Sequence, residues 1–275
     1  MKALSLVLLL ALALVRPGPA VASEEPLKVL AGTSLIEDIV TDLTGGRAEI
    51  VTLLPGSSCP GHNDVKAADL LFAAKADAVI IHSFQLELPQ IRNAMDSAKR
   101  PDFPLTVPRV EGSWLVPGVQ KEAVRIIAEA LSVARPAEAG LIRERAERRL
   151  EAVDRLEKES LARLAQVKGR LVAASAMQAQ FVRWAGLETL AEYPRAEEMH
   201  TRRVAELVVE AREGRLAGVV DNLQSGPEAG LPLARELKVP HLVLSNFPGY
   251  AAEAPDYFSL VRINVAKLAG LGSGN

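Results

Sequence analysis

Apolar and polar residues follow one another along this chain with two different periods. Short apolar runs of strand length are separated by stretches in which apolar residues recur every three or four positions, so the runs predict β-strands and the stretches predict amphipathic helices. The predicted strands form two groups, at about 27–33, 48–54, 76–82 and 105–110 and then at about 169–175, 188–193, 216–222 and 241–246. The predicted helices lie at about 35–44, 64–75, 118–134, 178–185, 201–214, 226–237 and 256–270. Strands rich in Val, Ile and Leu that alternate with helices are typical of α/β folds with parallel sheets.

A long segment of helical period separates the two groups of strands. It begins at Pro136 and ends at Gly169, with no other proline and only Gly140 as an internal glycine. One interpretation is an ordinary amphipathic surface helix. Its length and its position at mid-chain favour a connecting helix over 136–168, which joins an N-terminal lobe over 23–135 to a C-terminal lobe over 169–275. The predicted fold is α/β, with two doubly wound lobes of parallel sheets joined by one long connecting helix.

The first residues predict export of the chain. Lys2 precedes a run of 13 mostly apolar residues, and the small residues AVA at 20–22 form a cleavage site, so 1–22 is interpreted as a signal peptide too short to span a membrane. Because no cysteine follows the cleavage site, we expect a periplasmic chain without a lipid anchor. Cys59 is the only cysteine, which excludes an internal disulfide.

Charge and motif content narrow the class of function. Removal of the signal peptide takes away Lys2 and Arg16, so the formal net charge changes from −2 to −4. That balance does not predict binding to nucleic acid. The sequence also contains no P-loop, no Gly-x-Ser-x-Gly and no His-Glu-x-x-His. The sequence therefore offers no motif for nucleotide binding, for a serine hydrolase of that type or for a zinc protease of that type.

Polar residues that follow the predicted strands are candidates for a binding site. In parallel α/β sheets, ligands bind beyond the carboxyl ends of the strands. The residues at that edge are Cys59, His62, His82, Met177, Gln178, Glu197, Glu198, His200, Asp221, Asn222, Gln224, Ser245 and Asn246. His241 opens its strand and is expected at the opposite edge, and Met177 is interpreted as a core residue.

Four of these residues are candidate metal ligands. Cys59 and His62 have the Cys-x2-His spacing, which lets one turn deliver a thiolate and an imidazole to a transition-metal ion, and His82 and His200 are expected to join them. The alternatives are a free thiol packed as a small apolar group, a strand-end histidine satisfied by its surroundings, and a loop histidine in solvent. Gln178, Asn222 and Gln224 are candidates to hold or orient the ligand.

Five segments of the chain carry a family resemblance through their order and spacing. They are LKVLAGTSLIEDIVTDLTGGRAEIVTLLPG, ADLLFAAKADAVIIHSFQLE, GSWLVP, FVRWAGLETLAEYP and DYFSLVRINVAKLAG. Together they resemble the metal-specific solute-binding proteins of ABC transporters, of the zinc/manganese type in which a long helix joins two lobes. The resemblance covers nearly all of the mature chain and implies a periplasmic protein that captures a metal ion between its lobes.

The usual metal ligands of that family map onto other residue types here. Alignment on the family's Asp-Pro-His motif puts Cys59 at the aspartate and Gly61 at the histidine, with His62 one residue later. The remaining usual ligands fall on or near Gly112, Ser175, and Ser245 or Asn246. The resemblance therefore implies the scaffold, while the four candidate ligands above are expected to replace the missing ones.

The sequence thus predicts an exported solute-binding protein that captures a transition-metal ion in an inter-lobe cleft and delivers it to a membrane ABC permease. Zinc is the expected cargo, and manganese, copper, nickel and cobalt are alternatives. The protein is expected to act as a monomer and without nucleic acid. Two other functions stay open: a metal-dependent periplasmic enzyme, and a divergent member that binds a small polar ligand or a metal complex.

Overall fold

The computed structural model describes residues 25–58, 65–89, 91–92, 96, 102–212 and 215–272 of the chain. Within these ranges the strands form two separate sheets of four strands each, and every strand pairing is parallel. The prediction of two α/β lobes with parallel sheets is confirmed. Among the described residues, no helix is both long and apolar enough to cross a membrane.

The first sheet has the strand order β2-β1-β3-β4. Its strands are β1 (Lys28–Thr33), β2 (Glu49–Leu54), β3 (Ala78–Ile80) and β4 (Leu105–Thr106). Helices α1 (Ser34–Thr44), α2 (Ala67–Ala73) and α3 (Pro117–Ala134) accompany them. The strand order reverses direction at β1, so the carboxyl ends of β1 and β3 open onto the edge where ligands are expected.

The second sheet repeats this topology with the order β6-β5-β7-β8. Its strands are β5 (Leu171–Ser175), β6 (Glu188–Tyr193), β7 (Gly218–Asn222) and β8 (His241–Leu244). Its helices are α5 (Ala179–Trp184), α6 (Thr201–Arg212), α7 (Leu231–Leu237) and α8 (Tyr257–Ala269). Helix α8 begins at a capping box in which the Asp256 carboxylate accepts from the backbone N–H of Ser259 at 2.7 Å.

The helix α4 (Ala139–Leu164) joins the lobes, with a short 3₁₀ turn at each end. It packs against α1 and α3 of the first lobe and against α8 at the end of the chain. One hydrophobic cluster passes through both lobes and includes Val29 of β1, Val153 and Leu156 of α4, and Val220 of β7. Each sheet buries its other face in a smaller cluster of its own lobe.

Several predicted elements are shorter in the structure, among them β3, and two of the differences have a local cause. The strand predicted at 105–110 ends at Thr106, two residues before Pro108, which lacks the N–H that a strand ladder uses. The helix predicted at 226–237 begins only at Leu231, because Gly226 has a φ of 130° that no helix residue adopts.

Candidate functional site

A cavity of about 280 Å³ lies between the lobes, beyond the carboxyl ends of both sheets. The first lobe contributes Phe84, which belongs to the 3₁₀ turn Ser83–Glu87 directly after β3. Gln85 fixes this turn, since its side chain accepts from the backbone N–H of His82 and donates to the carbonyl of Gly32, both at 2.9 Å. The second lobe contributes the other lining residues, which are Met177, Arg195, Asn222, Gln224, Ser225, Asn246 and Phe247.

The amide side chains predicted from the strand ends form one network in the second lobe. Gln178, which is fully buried, donates through Nε2 to Asn246 Oδ1 at 2.8 Å. The Oδ1 atom of Asn222 accepts from both the backbone N–H and the hydroxyl of Ser225 at 2.9 Å. Asn222 and Asn246 therefore line the cavity with side chains that the protein already holds in place.

Gln224 links the two lobes directly. Its Nε2 donates to the Gly56 carbonyl of the first lobe and to the Ser245 hydroxyl, each at 2.8 Å, while its Oε1 accepts from the backbone N–H of Asn246 at 3.0 Å. A Cβ added at Gly56 would lie 2.0 Å from the carbonyl oxygen of Pro248, so only glycine allows the backbones to approach this closely. Gln224 is thus a clamp between the lobes as well as a wall of the cavity.

His82, a predicted metal ligand, is buried at the edge of the first sheet. Its Nε2 lies 2.9 Å from Thr33 Oγ1, and its ring packs against Trp114 and Phe84 with centroid distances of 4.1 and 5.4 Å. Burial lowers the pKa of His82 to about 3, so the imidazole is neutral at physiological pH. A neutral imidazole can bind a metal ion, but coordination through Nε2 would first break its hydrogen bond to Thr33.

His200 lies in the second lobe, just before α6, with its side chain exposed. Its Nδ1 accepts from the backbone N–H of Arg203 at 3.1 Å, which caps the first turn of the helix. Cys59 and His62 lie outside the described residues. Within the described ranges, no group of three or more His, Cys, Asp or Glu side chains is placed to hold a metal ion.

The position of the family's second usual histidine is blocked. Gly112 has a φ of 107°, and a Cβ added there would lie 2.3 Å from the Gln180 side chain of the second lobe. Gln180 also accepts from the backbone N–H of Ser113. In this conformation a side-chain amide of the second lobe fills the space into which a histidine at position 112 would project.

Asp221 and His241, at opposite ends of neighbouring strands, form a structural pair. Asp221 is fully buried and accepts from Tyr193 Oη at 2.8 Å and from the backbone N–H of Gly230 at 3.0 Å, and His241 Nε2 lies 2.6 Å from its carboxylate. Burial and the neighbouring carboxylate raise the pKa of Tyr193, so this phenol stays protonated. These contacts account for Asp221 without a ligand.

Sequence reasoning missed the charged residue of the cavity and misjudged one apolar residue. Arg195 comes two residues after β6, at the edge that the strand-end rule identifies, so the signal was present but was not applied to it. Met177, interpreted as a core residue, is 39% exposed and lines the cavity. That interpretation is corrected: the residue follows the last strand residue of β5 by two positions and so lies at the rim.

Several solved structures share the fold of this chain. The structure titled as Mn-bound periplasmic metal binding protein from Candidatus Liberibacter asiaticus has a TM-score of 0.74 and 16% identity, and the match covers 88% of this chain and 98% of that one. A Cd-bound form of the same protein has a TM-score of 0.75 at 16% identity, with the same coverage. A crystal structure of ZnuA has a TM-score of 0.75 and 18% identity, covering 90% of this chain and 100% of that chain. At these identities the likeness shows the fold.

Among curated protein sequences, none matches this chain. A family model does match, over residues 29–270, and its description is "ZnuA: Zinc-uptake complex component A periplasmic". The match begins in β1 and ends directly after α8, so it includes both lobes and the connecting helix. The chain therefore belongs to the ZnuA family of periplasmic metal-binding proteins.

Proposed function

We propose that this protein captures a transition-metal cargo between its lobes and delivers it to a membrane ABC permease. The observation that carries the proposal is the cavity at the carboxyl edge of both sheets, in a chain whose family consists of binding proteins and not of enzymes. Zinc is the first candidate for the cargo, with manganese, copper, nickel and cobalt as alternatives. In this proposal the segment 1–22 directs export to the periplasm, and the mature chain acts as a monomer without a lipid anchor.

Cys59 and His62 are proposed as the metal donors of the first lobe, with His82 and His200 as further donors. The proposal is supported by the chemistry of the donor set, since a thiolate and imidazoles suit borderline and soft divalent ions. The amides Gln178, Asn222 and Gln224 are proposed to position whatever the cleft binds. The clamp that Gln224 makes to Gly56 belongs to this role, because it sets the separation of the two walls.

Replacing Cys59 by serine should weaken zinc binding by well over tenfold, or more than about 1.4 kcal/mol. The thiolate must be deprotonated to bind, so zinc affinity of the parent should also fall as the pH drops, with protons released on binding. Calorimetric titration of the metal-free protein with zinc chloride at two pH values measures both effects. Ser57→Ala is the control, because Ser57 is exposed and lies two residues before Cys59. A Cys59→Ser protein that binds zinc as tightly as the parent would show that the thiol is not a ligand.

A further inference from the structure

Asn222 presents a hydrogen-bond donor to the inter-lobe cavity. Its side-chain oxygen accepts two hydrogen bonds from Ser225, one from the backbone N–H and one from the hydroxyl. Its amide nitrogen is left for the cavity, since the only contact of Nδ2 among the described residues is a long one of 3.5 Å to Gln224. Asn222 is 1% exposed, so it is a buried donor that lacks a good acceptor.

The orientation of the Asn222 and Gln224 amides follows from their backbone partners. A backbone N–H can only donate, so the atom of Asn222 that faces the Ser225 N–H must be its oxygen, and its nitrogen is the atom left over. A backbone carbonyl can only accept, so the atom of Gln224 that faces Gly56 must be its nitrogen. The side-chain oxygens of Asn222 and Gln224 therefore already accept hydrogen bonds inside the protein.

Arg195 adds a positive charge to the same wall. The backbone N–H of Ala196 donates to the Ser225 carbonyl at 3.3 Å, which holds the loop of Arg195 beside the loop of Asn222. No carboxylate among the described residues forms an ion pair with its guanidinium, and none lines the cavity. A guanidinium offers a planar set of donors that matches a carboxylate, and it repels a free divalent cation.

The apolar side chains that line the cavity favour a ligand that has apolar surface of its own. Phe84 from the first lobe and Met177 and Phe247 from the second line it. Its volume of about 280 Å³ lies just below the range for small-molecule sites, roughly 300–1,000 Å³. The cavity is thus suited to a small organic molecule with apolar surface, acceptor oxygens and negative charge.

We infer that the cavity recognises a small organic carboxylate, which Arg195 and the amide nitrogen of Asn222 bind. The inference rests on the proposed function for the nature of the cargo: the metal enters as a complex in which the carboxylate is the chelator. The same carboxylate chemistry could come from the free acid, so the experiment separates the two sources.

Calorimetric titration of the metal-free, full-length mature protein tests whether the cavity binds a carboxylate. The probes are citrate and malate, each alone and with one equivalent of zinc chloride, and zinc chloride by itself. The variants are Arg195→Gln and, as a matched control, Arg202→Gln, an exposed arginine of α6 that pairs with Glu206 at 3.2 Å and lies outside the cavity lining. Arg195→Lys retains the charge without the planar donor set.

We expect at least one carboxylate probe to bind, and Arg195→Gln to weaken it by tenfold or more while Arg202→Gln leaves it within twofold of the parent. The affinity of Arg195→Lys for the probe should lie between the affinities of these two variants. Binding only when zinc is present identifies the complex as the ligand, and equal binding of the free acid identifies the carboxylate itself; both support the inference. It is overturned if no carboxylate probe binds, or if Arg195→Gln binds the probes as well as the parent does. If zinc chloride alone then binds tightly, the inference fails while the proposed metal function stands.

Discussion

Replacing Arg149 by methionine should lower the free energy of unfolding by about 3–5 kcal/mol. The side chain is only 1% exposed and lies where α4 crosses α1, with its guanidinium nitrogens 2.5 Å from Asp38 and 2.9 Å from Asp42. It also lies over the Phe258 ring of α8, 5.2 Å from the centroid. Without the guanidinium, the Asp38 carboxylate stays buried and loses its counter-charge, which is the costly way to break a buried ion pair.

The loss of stability caused by Arg149→Met should increase as the pH rises. Burial raises the pKa of the Asp38 carboxyl even beside Arg149, and removal of Arg149 raises it further. A carboxyl whose pKa is higher in the folded state stabilises the fold only while it is protonated, so the deficit of the variant should grow as the pH rises through that pKa. Urea unfolding of parent and variant at pH 5 and pH 8 measures the difference.

The neighbouring Arg148 supplies the matched control for this change. It pairs with Glu144 at 2.7 Å on the same helix, but its side chain is 63% exposed, so Arg148→Met should cost no more than about half a kcal/mol. Adding Asp38→Asn to Arg149→Met should recover part of the loss by removing the buried charge. Equal losses for Arg148→Met and Arg149→Met would show that the buried pair has no special role.

Acidification from pH 6.5 to pH 4 should destabilise the metal-free protein by about 3 kcal/mol through His82 alone. The pKa of this imidazole is lowered to about 3 by burial, whereas an unfolded chain protonates its histidines near pH 6.5. Between these values the unfolded state binds one more proton than the folded state, so stability falls as the pH falls. Among the described residues, His82 contacts Thr33, Trp114 and Phe84, none of which carries a charge that would offset the effect.

Comparison of the parent with His82→Gln separates the effect of His82 protonation on stability from the effect of the carboxylates. The variant is expected to be less stable than the parent at pH 7, because it loses the packing on Trp114, so the informative quantity is the slope of stability against pH. Denaturant unfolding at half-unit steps, with a chelator present, gives that slope. A variant whose stability falls as steeply as the parent's between pH 6.5 and 4 would mean that His82 takes up no proton on unfolding.

The fold was predictable because its signals are local. Periods of two and of three to four residues, together with the glycine and proline that end the elements, placed all eight strands and the connecting helix to within a few residues. The exceptions have local causes as well, at Pro108 and at the positive φ of Gly226.

The position of a site residue was predictable only where the sheet topology alone determines it. Asn222 ends a strand of the second parallel sheet, and Gln178 and Gln224 follow strands of the same sheet, so the three had to lie at one edge. The burial of His82 depends on Thr33 and Trp114, which come from other elements, and no periodicity along the chain reports such contacts. Arg149 looked like one charge among many on α4, because its partners lie 107 and 111 residues away. The blocked position at Gly112 likewise depends on Gln180 in the other lobe.

The hydrophobic cluster that passes through both lobes makes the protein one cooperative unit in unfolding. Residues of both sheets share this cluster with α4, so each half of the chain would expose its part of the cluster if the other half unfolded. Cutting the chain within α4 should therefore yield two insoluble fragments and not two small domains, and scanning calorimetry of the whole chain should record a single transition. Cargo held at the rim would then raise the melting temperature of residues at the far end of each lobe as much as that of its own neighbours.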